Sequence, residues 1–193
     1  MENKLSVLAL SALAMALIFI LFPLFSSPAK AVEANAKVLI VYFSRSGNTR
    51  ALAEQIRAAT GGDLVELEPV EAYPQDYQAT VNRAKPELAS GYCPPLKNEF
   101  RNMGAYDVIL LGSPSWGGTI APPARTFLSK NDLSGKTVAL FMTHGGSGLG
   151  RAPADVKTLI PRATLADGLA VSGRRVHDAG NEVASWVNSL GLK

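Results

Sequence analysis

The chain has 193 residues, 47% of them hydrophobic, and a formal net charge of +3. That length allows one domain plus an extra segment, with enough apolar residues for a real core. The mild charge, without a basic run or interleaved aromatic and basic residues, argues against nucleic acid as a partner. One cysteine, Cys93, and two histidines leave no internal disulfide and no clustered zinc set.

Residues 1–31 are predicted to lie outside the fold. A short head, Met1 to Lys4, precedes Leu5 to Phe25, which carries no charge. Ala29-Lys30-Ala31 fits a small-residue cleavage site, and Ala34-Asn35-Ala36 is a second candidate close to the first strand. The apolar run is longer than a usual signal core, so a retained membrane anchor is the alternative. Lys4 is offset by Glu2, while Lys30 and Lys37 lie on the far side, so the flanking charges decide little. The expectation is export, with cleavage favoured over retention. The predicted domain then covers residues 32–193.

Val38 to Phe43 is an unbroken apolar run rich in β-branched types, the pattern of a strand buried on both faces. It stops in Ser44-Arg45-Ser46-Gly47-Asn48-Thr49, and a helix is predicted from Asn48 to Thr60, closed by Gly61-Gly62. Hydroxyls, an amide and a glycine just before a helix N-terminus suit an anion, because the first turn has unpaired N–H groups and a partial positive charge. The bland alternative is a capped turn. Leu64 to Leu67 reads as an edge strand. A helix from Asp76 to Lys85 follows, and Cys93 beside two prolines is read as a loop residue without a catalytic role. Tyr106 to Gly112 is the third predicted strand. It opens into Ser113-Pro114-Ser115-Trp116-Gly117-Gly118-Thr119, after which Pro122 and Pro123 start a helix. Lys136 to Met142 is the fourth strand, opening into Thr143-His144-Gly145-Gly146-Ser147-Gly148. A helix over Pro153 to Ile160, a fifth strand over Leu165 to Val171 and a helix over Asp178 to Leu190 complete the chain.

Strands alternating with helices predict an α/β fold, a doubly wound five-stranded parallel sheet with helices on both faces. Ligands of such sheets bind outside the carboxyl ends of the strands, where the strand order reverses. The loops rich in glycine or hydroxyls follow the first, third and fourth strands.

Ser44 to Thr49 resembles the phosphate loop of the flavodoxin family, [ST]-x-[ST]-G-N-T, and the resemblance extends over about Ala36 to Leu192. It implies the strand order 2-1-3-4-5 and an FMN cofactor. It further implies that Ser44, Arg45, Ser46, Gly47, Asn48 and Thr49 hold the phosphate. Ser113, Pro114, Ser115, Trp116, Gly117 and Gly118 would present an indole to the isoalloxazine ring, and Thr143, His144, Gly145, Gly146, Ser147 and Gly148 would cover another edge. Trp116 has an alternative as a core residue, His144 as a cap on its strand, and Arg45 as a solvated side chain. Tyr73 and Tyr77 are read as packing residues outside the site. The chain departs from many flavodoxins in being slightly basic, in lacking a tyrosine between residues 143 and 150, and in carrying an export segment.

Three functions compete at this stage. One is an exported redox carrier that transfers electrons between partners. Another is an FMN-dependent reductase of a small acceptor such as a quinone. The third is a binding module of the same fold without redox chemistry. The partner is a protein or a small acceptor, with membrane contact only through the N-terminal segment.

Overall fold

The computed structural model describes residues 36–192. The predicted export segment and Ala29-Lys30-Ala31 lie outside the described residues, as do Ala34 and Asn35 of the second candidate cleavage site. Six strands and five α-helices form in the order β1 (Val38–Tyr42), α1 (Asn48–Thr60), β2 (Asp63–Glu66), α2 (Tyr77–Ser90), β3 (Val108–Trp116), β4 (Thr119–Ile120), α3 (Pro122–Lys130), β5 (Thr137–His144), α4 (Ala152–Leu159), β6 (Thr164–Ser172) and α5 (Gly180–Ser189). The parallel sheet runs β2-β1-β3-β5-β6, and β4 pairs antiparallel with the end of β3. Leaving out that two-residue strand, this is the predicted order 2-1-3-4-5.

Period-two alternation within continuously apolar strands explains the two cores. Leu39, Val41 and Phe43 face one side, with Ile109, Leu111 and Leu140, and are covered by Ala124, Phe127 and Val156 of α3 and α4. Val38, Ile40 and Tyr42 face the other side, with Leu110 and Phe141, under Leu52 and Ile56 of α1 and Val183 and Trp186 of α5. Each fully buried Leu, Ile or Phe contributes roughly 1.5–3 kcal/mol of transfer free energy. At the sheet centre Tyr42, Gly112 and Phe141 are neighbours across three strands. A Cβ on Gly112 would lie 2.3 Å from the Phe141 ring, so the ring occupies the space that any larger residue would need.

Most boundaries fall within two residues of the sequence reading, and three departures bear on the site or on α2, each for a physical reason. The strand expected to end at Gly112 continues to Trp116, so Ser113 to Trp116 are not loop residues. Ser113 and Pro114 still pair with β5, and Ser115 and Trp116 pair with Ile120 and Thr119 around Gly117 (φ 57°) and Gly118 (φ 78°), a two-residue hairpin whose positive φ angles favour glycine. Similarly, Thr143 and His144 belong to β5. Finally, α2 does not stop before Pro86, as a pre-proline residue's preference suggests, but runs to Ser90. Asp76 caps its start by accepting from the Ala79 N–H at 2.7 Å. Its second half is held by Glu87, which accepts from Tyr73 and Arg83, and by Gly91 in the left-handed region beyond its end.

Candidate functional site

The carboxyl ends of β1, β3 and β5 meet at one rim of the sheet, where the order reverses between β1 and β3. β1 leads into Ser44 to Gly47, and Gly47 (φ 89°) turns the chain into α1. No side chain caps that helix, and no acidic residue stands in its first turn. Its N-terminal N–H groups and dipole therefore face the rim without a competing anion. The Ser44 hydroxyl is buried and finds no hydrogen-bond partner in the protein. On β5, Nδ1 of His144 is likewise buried and unpartnered. Buried polar atoms are almost always paired, so two such orphans at the ends of β1 and β5, on either side of β3, mark this rim.

The loop side chains divide into those facing outward and those holding the rim together. Ser46 is exposed, and Gly47 and Asn48 are half-buried. Arg45 donates to the Gln75 carbonyl at 2.8 Å, which ties this loop to the segment leading into α2. Thr49 is buried, and its hydroxyl shares a 2.8 Å hydrogen bond with that of Thr143. That bond joins α1 to β5, so both hydroxyls are engaged within the protein. Ser113 is fully buried; it accepts from the Ala121 N–H at 2.8 Å and donates to the Pro114 carbonyl. Its side chain thus fastens the β3–β4 hairpin to the start of α3. Ser115 and Ser147 share a 2.8 Å hydrogen bond across the rim, linking the extensions of β3 and β5. Gly145 and Gly146 are exposed beyond β5, and Gly148 is half-buried.

Trp116 packs into the core and also borders open space. Its indole stands edge-on to Phe43 (5.5 Å between centroids) and Tyr73 (4.9 Å), which ties it to the core. The same side chain lines a cavity of about 470 Å³ between the hairpin and α2. Tyr73 is buried, as a packing residue should be, and donates to Glu87 at 2.5 Å while Arg83 lies over its ring at 4.1 Å. Burial, followed by that hydrogen bond, pushes its hydroxyl well above the usual tyrosine range and keeps it a donor. Tyr77, by contrast, is 70% exposed and lines the cavity beside Trp116. Its sequence position gave no sign of this, because α2 was the least legible part of the chain.

Arg151, Gly150 and Gly173 were also missed. The Gly118 carbonyl accepts from the Arg151 N–H at 2.9 Å, and a Cβ on Gly150 would come within 2.3 Å of that carbonyl oxygen. Hairpin and post-β5 loop therefore pack backbone to backbone. Thr119 donates to Asp155 at 2.6 Å and Arg151 at 3.0 Å, which together hold that carboxyl below the usual aspartate value. A Cβ on Gly173 would meet the Asn48 amide at 2.7 Å, so the turn after β6 closes against the loop after β1. Among the described residues, no group of three His, Cys, Asp or Glu side chains is placed to hold a metal ion. Also among them, no helix is long and apolar enough to cross a membrane.

The family model of flavodoxin matches residues 37–190. Among solved structures, a Bacteroides eggerthii chain described as a flavoprotein is 30% identical, with a TM-score of 0.71 over 82% of this chain and 100% of its own. A similarly described chain from Bacteroides uniformis is 27% identical at the same TM-score, covering 79% and 98%. A flavoprotein from Lactobacillus acidophilus NCFM in complex with FMN is 25% identical, with a TM-score of 0.64 over 78% and 99%. Together with the sheet order and the loop after β1, the match across residues 37–190 places this chain in the flavodoxin family.

Proposed function

We propose that this protein is an exported FMN-binding redox protein that transfers electrons between partners. The observation that carries the flavin reading is the pair of buried, unpartnered atoms, Ser44 Oγ and His144 Nδ1, flanking the uncapped start of α1. Such a rim fits a phosphate monoester. A dianion accepts hydrogen bonds from hydroxyls and backbone N–H groups without needing a lysine. The relative in complex with FMN supports the choice of flavin.

In this reading Ser44, Ser46, Gly47 and Asn48 hold the phosphate, with Thr49 contributing its backbone N–H because its hydroxyl serves Thr143. Arg45 adds positive charge beside them. Ser115, Trp116 and the Gly117-Gly118 turn flank the ring on one side, and His144 to Gly148 on the other, with the Ser115–Ser147 bond fixing their separation. Ser113, Pro114 and Thr143 act through the backbone and by holding the rim in shape. Bound FMN supplies the electron chemistry, and these residues orient it, exclude water and set the polarity around it.

A second reading, an FMN-dependent reductase of a small acceptor such as a quinone, is favoured by the cavity of about 470 Å³ beside Trp116, a size usual for small-molecule sites. Adding NADH or NADPH with a quinone to the FMN-loaded protein separates the two. Steady turnover supports the reductase, whereas its absence, with reversible reduction by a protein donor, supports the carrier. Export rests on Leu5 to Phe25 and Ala29-Lys30-Ala31. A reporter active only outside the cytoplasm, fused after residue 40, should be active; a silent reporter with full-length cytoplasmic protein contradicts export.

A further inference from the structure

The cavity beside Trp116 shares Arg45, Ser115, Trp116 and Gly117 with the flavin reading, but its α2 wall is one that this reading does not use. Tyr77, Val81 and Lys85 recur at four-residue intervals along α2, so they share one face of the helix, and all three line the cavity. Tyr77 leaves an aromatic ring largely in solvent, and Trp116 supplies a second ring to the cavity lining. Arg45, Lys85 and Arg151 contribute three cations, whereas no aspartate or glutamate lines it. Arg151 is already paired with Asp155, and Arg45 donates to a backbone carbonyl. Lys85 forms no ion pair among the described residues. An apolar, aromatic-sided cavity with an all-positive rim complements a planar aromatic anion. The rings cover its faces and the cations meet its charged edge.

We propose that this α2 wall is the seat of a second ligand, a small planar aromatic molecule bearing a carboxylate or sulfonate, with Lys85 as the residue that selects for its charge. As an identification of the electron acceptor, the assignment rests on the FMN reading above; as an anion subsite, it stands on the cavity itself. It also gives the chain's slight basicity a place of action. Three positive charges converge on one small cavity instead of being spread over a partner surface.

The test uses the purified full chain saturated with FMN, titrated calorimetrically with naphthalene sulfonate and with its neutral sulfonamide. The sulfonate should bind at least about tenfold more tightly than the sulfonamide, the scale of one charge-assisted contact. Lys85→Glu should abolish that preference while leaving sulfonamide and FMN affinities within about twofold. Lys85 is exposed, so this variant should fold, which circular dichroism checks. Equal affinity for the two probes, a preference unchanged in Lys85→Glu, or release of bound FMN on adding the sulfonate would each overturn the second subsite. A protein that takes up no FMN but keeps the Lys85-dependent preference would retain the anion subsite and refute the flavin reading.

Discussion

Ser44→Ala separates a binding role from a structural one, because the two predict opposite stability changes. In the folded chain the Ser44 hydroxyl is buried and accepts or donates nothing within the protein. Burying an unsatisfied hydroxyl costs about 1–3 kcal/mol, so replacing it with a methyl should leave the flavin-free protein as stable or raise its stability by up to that amount. With FMN present, the same hydroxyl is assigned to a phosphate dianion. Hydrogen bonds to charged groups contribute roughly 1.5–3 kcal/mol, or about 10- to 150-fold in affinity at 1.4 kcal/mol per decade. FMN binding should weaken by that factor, whereas riboflavin, which lacks the phosphate, should bind almost unchanged. Quenching of flavin emission measures both affinities, and urea unfolding without flavin gives the stability. A destabilised variant with unaltered FMN affinity would refute the assignment. Ser46→Ala tests the exposed hydroxyl two residues on, with a similar loss of affinity and no gain in stability.

Other substitutions probe the rim and the sheet beneath it. Trp116→Ala should lower FMN affinity by about 1–3 kcal/mol and relieve part of the flavin quenching. Because the half-buried indole also packs on Phe43 and Tyr73, the change should also cost stability, less than the about 3–5 kcal/mol of a fully buried tryptophan, and unchanged flavin binding in a folded variant would leave Trp116 with only its packing role. Gly112→Ala places a methyl against the Phe141 ring and the Tyr42 Cβ, both buried, and should destabilise by about 1–3 kcal/mol in urea unfolding. Asp155 has a carboxyl lowered in the folded state by Thr119 and then Arg151, so its stabilisation is present above the ordinary value of 3.8 and lost as pH falls through the lower folded value. Asp155→Asn should therefore lower stability at neutral pH and flatten its dependence below about pH 4, measured as urea midpoints across that range.

The sheet was legible because β1, β3 and β5 are apolar on both faces; β1, expected over Val38 to Phe43, ends one residue earlier at Tyr42, and α1 covers Asn48 to Thr60 as the pattern puts it. The loops were harder to read because composition records donors but not their partners. Thr143 looks like a ligand hydroxyl, yet its partner is Thr49, 94 residues away. Ser113 looks like a loop hydroxyl, yet it is spent on the Ala121 N–H, which lets β3 run on into the hairpin. Trp116, between Pro114-Ser115 and Gly117-Gly118, reads as a loop residue. Its burial depends on Tyr73, whose own position depends on Glu87 and Arg83 in a helix that a proline appeared to end. Arg151 and Gly150 carried no local signal, because their role comes from the backbone of Gly118 meeting them across the rim.

The central claim is that the rim formed by β1, β3 and β5 holds FMN. The most direct measurement is the visible absorbance of the purified protein, as isolated and after incubation with FMN and desalting, with the released flavin identified by chromatography. The account predicts the two flavin absorption bands at about one FMN per chain, with FMN and not riboflavin retained through desalting. A colourless protein that retains no FMN would contradict it.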